Sequence, residues 1–170
     1  KFWMEESHCL KDVLSGTAAD TQIRCNQIWA LSMPFPVLEG EKARQVVDTV
    51  EEKLYTPYGL RTLAPDDPEF HSVYTGSMLN RDLAYHQGTV WVFPLGAFYI
   101  ACLRAGGYDE RSLRKVKEGL DALEGAMREG CAGQLPEIYD GGNHTVSKGC
   151  FAKAWTVGEV LRVYLENEKA

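Results

Sequence analysis

Gln87-Gly88-Thr89-Val90-Trp91-Val92-Phe93-Pro94-Leu95-Gly96-Ala97-Phe98-Tyr99-Ile100-Ala101-Cys102-Leu103-Arg104-Ala105 is apolar nearly all the way round a helical wheel. A helix with no polar stripe has to be buried on every side. The longest apolar run, 90–103, is interrupted only by Pro94 and Gly96 and is too short for a membrane span. The pattern therefore predicts a helix over 87–105 enclosed by other helices. Residues 24–33 and 149–165 have the same character. Between these three lie two amphipathic segments. Residues 40–55 place Ala43, Val46, Val47, Val50 and Leu54 on one face. Residues 110–128 place Leu113, Val116, Leu120, Leu123 and Met127 opposite Lys, Arg and Glu, with Asp109 as N-cap. Buried and amphipathic helices alternate along the chain, which reads as an all-α fold.

Each buried segment begins near a polar cluster: Arg24-Cys25-Asn26-Gln27, Tyr85-His86-Gln87-Gly88 and Lys148-Gly149-Cys150. Each also carries a tryptophan soon after, at 29, 91 and 155, which are 62 and 64 residues apart. That period suits a helical hairpin plus its loop. With inner helices parallel and outer helices returning, all three clusters fall on one side. The long connections 56–86 and 129–148 fall there too. The first, with Ala64-Pro65-Asp66-Asp67-Pro68, reads as irregular loop with a short strand at 60–63. The other side has short turns such as Gly106-Gly107. Long loops and helix N-termini on one face make a site.

At 170 residues the chain is one domain by length (1–170), able to bury a core. A net charge of −6 disfavours nucleic acid or an anionic membrane as partner. The four tryptophans fit carbohydrate binding and equally fit a well-filled core. Cys9, Cys25, Cys102, Cys131 and Cys150 are odd in number and form no CxxC pair, which reads as reduced thiols in a cytoplasmic protein. No signal peptide opens the sequence, yet Lys1 is no initiator, so the chain reads as cut from a longer one. No metal or cofactor is expected. His8-Cys9 is too close in sequence for two ligands of one zinc, and neither Asp66-Asp67 nor Asp140 with Asn143 makes a calcium loop. Neither a phosphate loop nor a serine nucleophile elbow is present.

The loop before the last apolar segment holds two carboxylates. Glu137 follows Leu135-Pro136, which pins the backbone just before it. It reads either as a general base that activates water or as a loop acid bonded to neighbouring amides. Asp140, before Gly141-Gly142, has the look of a turn residue. His86 suits a substrate hydroxyl or its own helix end. Arg24, Asn26 and Gln27 enter a buried helix and need polar partners, which a polyol would supply. Trp29, Trp91 and Trp155 read as core or as sugar platforms.

Four motifs in order resemble those of glycogen debranching enzymes, in the C-terminal part of the amylo-α-1,6-glucosidase domain. They are Arg24-Cys25-Asn26-Gln27; Tyr58-Gly59-Leu60-Arg61-Thr62-Leu63 with Pro65 and Asp66; Tyr85-His86-Gln87-Gly88 with Trp91; and Glu137 through Gly149-Cys150 to Ala154-Trp155. The resemblance spans nearly the whole chain. It implies an (α/α)6 barrel, of which 170 residues make about the C-terminal half. It also implies inverting hydrolysis of the α-1,6-linked glucosyl stub at a branch point of glycogen or limit dextrin. In that reading Glu137 is the base and Asp140 its rival, while Arg24, Asn26, Gln27, Arg61, Tyr85, His86, Gln87, Trp91 and Trp155 line the glucose pocket. The general acid is then expected upstream of Lys1. The chain alone is expected to be inactive and to expose apolar surface that the N-terminal part of the barrel would cover. Three departures from the family pattern stand out. Cys25 replaces a usual Pro, Lys153 replaces a usual Gln, and Val92-Phe93-Pro94 replaces an aromatic-rich continuation. Two other readings are a related barrel hydrolase acting on another α-glucoside and a non-catalytic carbohydrate-binding helical domain.

Overall fold

The computed structural model describes residues 1–128 and 132–168. Two small antiparallel hairpins open the chain, β1 (Trp3–Met4) with β2 (Cys9–Leu10) and β3 (Val13–Ser15) with β4 (Ala18–Asp20). A 3-10 turn, Cys25–Ile28, runs straight into α1 (Trp29–Ser32). The amphipathic helix α2 (Gly40–Lys53) buries Ala43, Val46, Val47 and Val50, the face its spacing predicts. The strands β5 (Tyr55–Thr56) and β6 (Gly59–Arg61) follow, the latter matching the short strand expected near 60–63. Inside the connection read as loop lies a helix, α3 (Met78–Tyr85). Its N-cap Ser77 accepts from the Asn80 N–H at 3.3 Å.

The segment that governs the fold divides in two. Val90–Trp91 is a strand, β7, and the helix α4 begins only at Pro94 and ends at Ala105. Proline at the first helical position gives up an N–H that no helix could pair there. Every residue from Pro94 to Leu103 is buried, as an all-round apolar helix requires. It packs against α1, α2, α5 (Glu110–Ala126) and α6 (Ala154–Asn167). Phe98, Tyr99, Ile100 and Leu103 are sealed from solvent, each worth about 1.5–3 kcal/mol of transfer free energy for the aliphatic and phenyl side chains. Asp109 caps α5 as its sequence suggests, its Oδ1 accepting from the Ser112 N–H at 2.8 Å.

The all-α expectation, and with it the (α/α)6 half-barrel, is overturned by a five-stranded antiparallel sheet. Its order is β5-β6-β7-β8-β9, with β8 at Ile138–Tyr139 and β9 at Ser147–Lys148. The strands are two or three residues long, below the length at which hydrophobic alternation shows in a sequence. Their cause is burial of the connections. Val90, Trp91, Ile138 and Tyr139 are all inside, and buried backbone N–H and C=O groups outside a helix must find one another. Thr89, Val90 and Val92 are β-branched and favour the extended form that this pairing needs.

The last helix also differs from its reading. It starts at Ala154 rather than near 149, and it buries only Thr156 and Val163 fully. Trp155, Leu161, Tyr164 and Leu165 are exposed, so α6 covers the core with one face and turns an apolar face outward. It meets α4 at Gly96, where a Cβ would lie 2.5 Å from the Glu159 carbonyl oxygen. Among the described residues no helix is long and apolar enough to cross a membrane.

Candidate active site

The sheet assembles the site. Register pairs Leu60 with Trp91 and Trp91 with Ile138, so Glu137, one residue before β8, lies next to the end of β7. The Val92 N–H reaches the Glu137 carbonyl at 3.4 Å. The loop after β9 then closes on Glu137 in both directions. Its own N–H donates to the Cys150 carbonyl at 2.9 Å, and the Cys150 N–H donates to Glu137 Oε2 at 3.0 Å. At the entrance to α6, the Lys153 N–H donates to the Leu135 carbonyl at 2.9 Å, while its ammonium meets Glu137 Oε1 at 2.6 Å. The Tyr85 hydroxyl, from the end of α3, is hydrogen-bonded to the same carboxylate.

Glu137 is 6% exposed. Burial pushes its carboxyl upward, but the hydrogen bonds from Lys153, the Cys150 amide and Tyr85 outweigh it and leave the group below the ordinary carboxylate range. Glu137 therefore stands ionised at neutral pH. The Lys153 ammonium is raised in turn, chiefly by its bond to Glu137. Gly149 makes the closure possible. It adopts φ +67°, and a Cβ there would fall within van der Waals contact of the Glu137 carboxylate and 3.1 Å from Ile138 Cγ1.

Aromatic rings cluster beside this carboxylate, with Tyr85 bonded to it and His86 within reach of its charge. His86 stacks on Trp91 with centroids 5.1 Å apart and planes at 16°, and Tyr85 leans on both. The Trp91 Nε1–H is spent on the Tyr85 carbonyl at 2.9 Å, which fixes the indole. Burial, followed by the nearby Arg24 charge, lowers the His86 imidazole, so it is neutral at pH 7. Phe93 touches all three tryptophans that recur along the chain: Trp29 at 6.0 Å, Trp91 at 5.7 Å and Trp155 at 4.1 Å. Trp155 remains 52% exposed, an aromatic plane 6.0 Å from the Lys153 ammonium.

Of the residues singled out in the sequence, Tyr85, His86, Trp91, Glu137 and Trp155 thus come together. Arg24 and Gln87 form the next layer. The Arg24 guanidinium donates to the His86 carbonyl at 2.7 Å and to Gln87 Oε1, and so sets the backbone that carries His86. The others are placed elsewhere. Gln27 is buried, its Oε1 accepting from the Leu10 N–H and its Nε2 donating to the Arg24 carbonyl. Asn26 is exposed and bonded to Asp12. Arg61 donates to the Gly141 carbonyl at 3.0 Å. Asp140 accepts from the Tyr74 N–H at 2.8 Å and pairs with Lys148 at 3.3 Å, which ties the 72–74 segment to β8 and β9.

Phe93 as the hub of the tryptophans was missed, although its place two residues after Trp91 was a signal. Lys153 stood out as a departure, with no hint of its partner. Cys9, Cys25, Cys102 and Cys150 are free thiols, and Cys131 lies outside the described residues. Among the described residues no cluster of three His, Cys, Asp or Glu side chains is placed to hold a metal ion.

A family model described as amylo-alpha-1,6-glucosidase matches residues 1–162. The chain belongs to this family. The match begins at Lys1 and runs into α6, so it takes in every residue placed above, from Arg24 to Trp155. The chain is also similar to the glycogen debranching enzyme of Saccharomyces cerevisiae, with 32% identity over 85 residues. The similarity covers 46% of this chain and 6% of the yeast protein's length.

Proposed function

We propose that Glu137 is the general base of an inverting glycosidase that releases the α-1,6-linked glucosyl residue at a glucan branch point. The observation that carries the reading is the state of Glu137, buried, ionised and held by three donors beside a cluster of aromatic side chains. A carboxylate accepts about four hydrogen bonds. Lys153, the Cys150 amide and Tyr85 take three, which leaves a lone pair for the attacking water. Trp155 offers an open apolar plane to a pyranose face, and neutral His86 on Trp91 offers a ring nitrogen to a hydroxyl. Glu137 is bonded to Tyr85 beside the His86–Trp91 stack, whereas Asp140 is bonded to the Tyr74 amide and Lys148, which favours Glu137 over its neighbour.

Inversion needs a second carboxyl, protonated, across the glycosidic oxygen and roughly 6.5–9.5 Å from the base. In this reading that acid comes from outside the 170 residues, and the chain by itself does not turn over. Membership of the amylo-alpha-1,6-glucosidase family supports the substrate class. The test is Glu137→Gln in the intact protein, assayed for glucose release from limit dextrin beside small α-glucosides. The anomer first formed is read by proton NMR. Loss of about 10²–10⁴ in turnover on limit dextrin, with β-glucose as the parent's first product, is expected. Unchanged turnover in Glu137→Gln would sink the assignment of the base. Preference for a small α-glucoside would move the substrate.

A further inference from the structure

We propose that Lys153 is a positioning residue for Glu137, one that fixes which lone pair stays open to water and keeps the base charged in acidic solution. This rests on the reading of Glu137 as the base. The two carboxylate oxygens are held by different parts of the chain, Oε2 by the Cys150 N–H and Oε1 by the Lys153 ammonium. Rotation of the carboxylate would break both bonds together. Lys153 is itself anchored at its backbone to the Leu135 carbonyl, two residues before Glu137, so ammonium and carboxylate grow from one stitched segment.

The other groups facing Glu137 do not replace this charge. Tyr85 donates a neutral hydroxyl, and burial with the Arg24 charge lowers the His86 imidazole, so it gains its charge later on acidification than an ordinary histidine. Arg24 spends its guanidinium on Gln22, Gln87 and the His86 carbonyl and lies 3.9 Å from Asp12. Cys150 contributes its amide, and its Sγ is turned to the Ala152 carbonyl at 3.2 Å. Among the described residues Lys153 is the cation paired with Glu137. Burial favours the protonated form of a carboxylate, so removing the ammonium raises Glu137 and leaves the Cys150 amide and Tyr85 alone to oppose its burial. The Lys153 ammonium also lies 6.0 Å from the open plane of Trp155, where an arriving sugar would exclude water and strengthen the pair.

A glutamine at this position keeps a hydrogen-bond donor and loses the charge, so Lys153→Gln isolates the electrostatic part. A methionine loses both. The experiment is the pH profile of kcat/KM on limit dextrin for the intact protein and for Lys153→Gln, Lys153→Met, Lys153→Arg and Glu137→Gln. The acidic limb of Lys153→Gln is expected to move to higher pH, with activity at the acidic end falling about tenfold relative to its own neutral plateau. Lys153→Arg should keep the limb where the parent has it, and Lys153→Met should lower kcat as well as move the limb. Superimposable acidic limbs for the parent and Lys153→Gln overturn the proposal. If Glu137→Gln is inactive while the limb stays put, only the role of Lys153 fails. If Glu137→Gln is fully active, the base assignment fails and this role with it. A carboxyl ¹³C NMR titration of the parent, with Glu137→Gln assigning the resonance, needs no Lys153 variant. A Glu137 midpoint at or above that of an ordinary glutamate also overturns the proposal.

Discussion

Replacing Gly96 by alanine should loosen the whole site from a position inside the core. Gly96 lies in α4 where α6 crosses it, and a Cβ there would lie 2.5 Å from the Glu159 carbonyl oxygen, 2.8 Å from the carbonyl carbon and 2.9 Å from the Glu159 Cβ. Two of those three atoms are backbone, so no side chain can swing aside. Ordinary contact at about 3.4 Å requires the helices to part by nearly 1 Å. Alanine gains about 1 kcal/mol over glycine in helix propensity. Parting α6 from the core forfeits packing along the contact, and overpacking of this kind costs about 1–3 kcal/mol net. The same displacement carries Lys153 and Trp155, at the start of α6, away from Glu137 and Phe93. A misplacement of about 1 Å can cost roughly 10²-fold in rate. Guanidinium denaturation of the parent, Gly96→Ala and Gly158→Ala measures the first effect, and limit-dextrin turnover in the intact protein the second. Gly158 lies in α6 with open space around its Cβ position. Its alanine variant is expected to gain up to about 1 kcal/mol. A Gly96→Ala protein as stable and as active as the parent would refute the argument.

Two further outcomes follow from the geometry. Gly149→Ala must hold an L side chain at φ +67° against the Glu137 carboxylate. About 1–2 kcal/mol of stability should be lost to the left-handed backbone, with turnover lost far out of proportion. Parallel melting and activity curves would count against the reading. Trp155→Ala removes a half-exposed ring, so stability should fall only by the value of its contact with Phe93, about 0.5–1.5 kcal/mol. KM for dextrin should rise about tenfold, equivalent to about 1.4 kcal/mol, and an unchanged KM would remove Trp155 from the sugar site.

Much of the helical framework was legible because helices of three turns or more repeat their burial pattern. The face of α2, the Val116, Leu120 and Leu123 face of α5 and the Asp109 cap came directly from spacing, whereas Met127 falls past the end of α5 and is exposed. The segment 87–105 misled because an all-apolar run has no periodicity to separate strand from helix. Pro94 was the mark of the boundary, since it suits the first turn of α4 and not a position deeper in a helix. The candidate site was legible as a set of polar clusters and evenly spaced tryptophans, but their partners were not. Gln27 and Arg61 carry the same polar chemistry as His86 and Gln87, yet they are satisfied by backbone groups remote in sequence.

Local chemistry in the chain was enough to determine the two amphipathic helices, the Asp109 cap and the family to which the motifs belong. The tertiary structure alone decided that the connections pair into a sheet. It also decided that Glu137 is bonded to Tyr85 with Lys153 as its counter-ion, and that Asp140 is paired with Lys148. Those outcomes depend on contacts between segments that are separate in the chain. There, buried backbone groups and buried charges must find partners that no local pattern encodes.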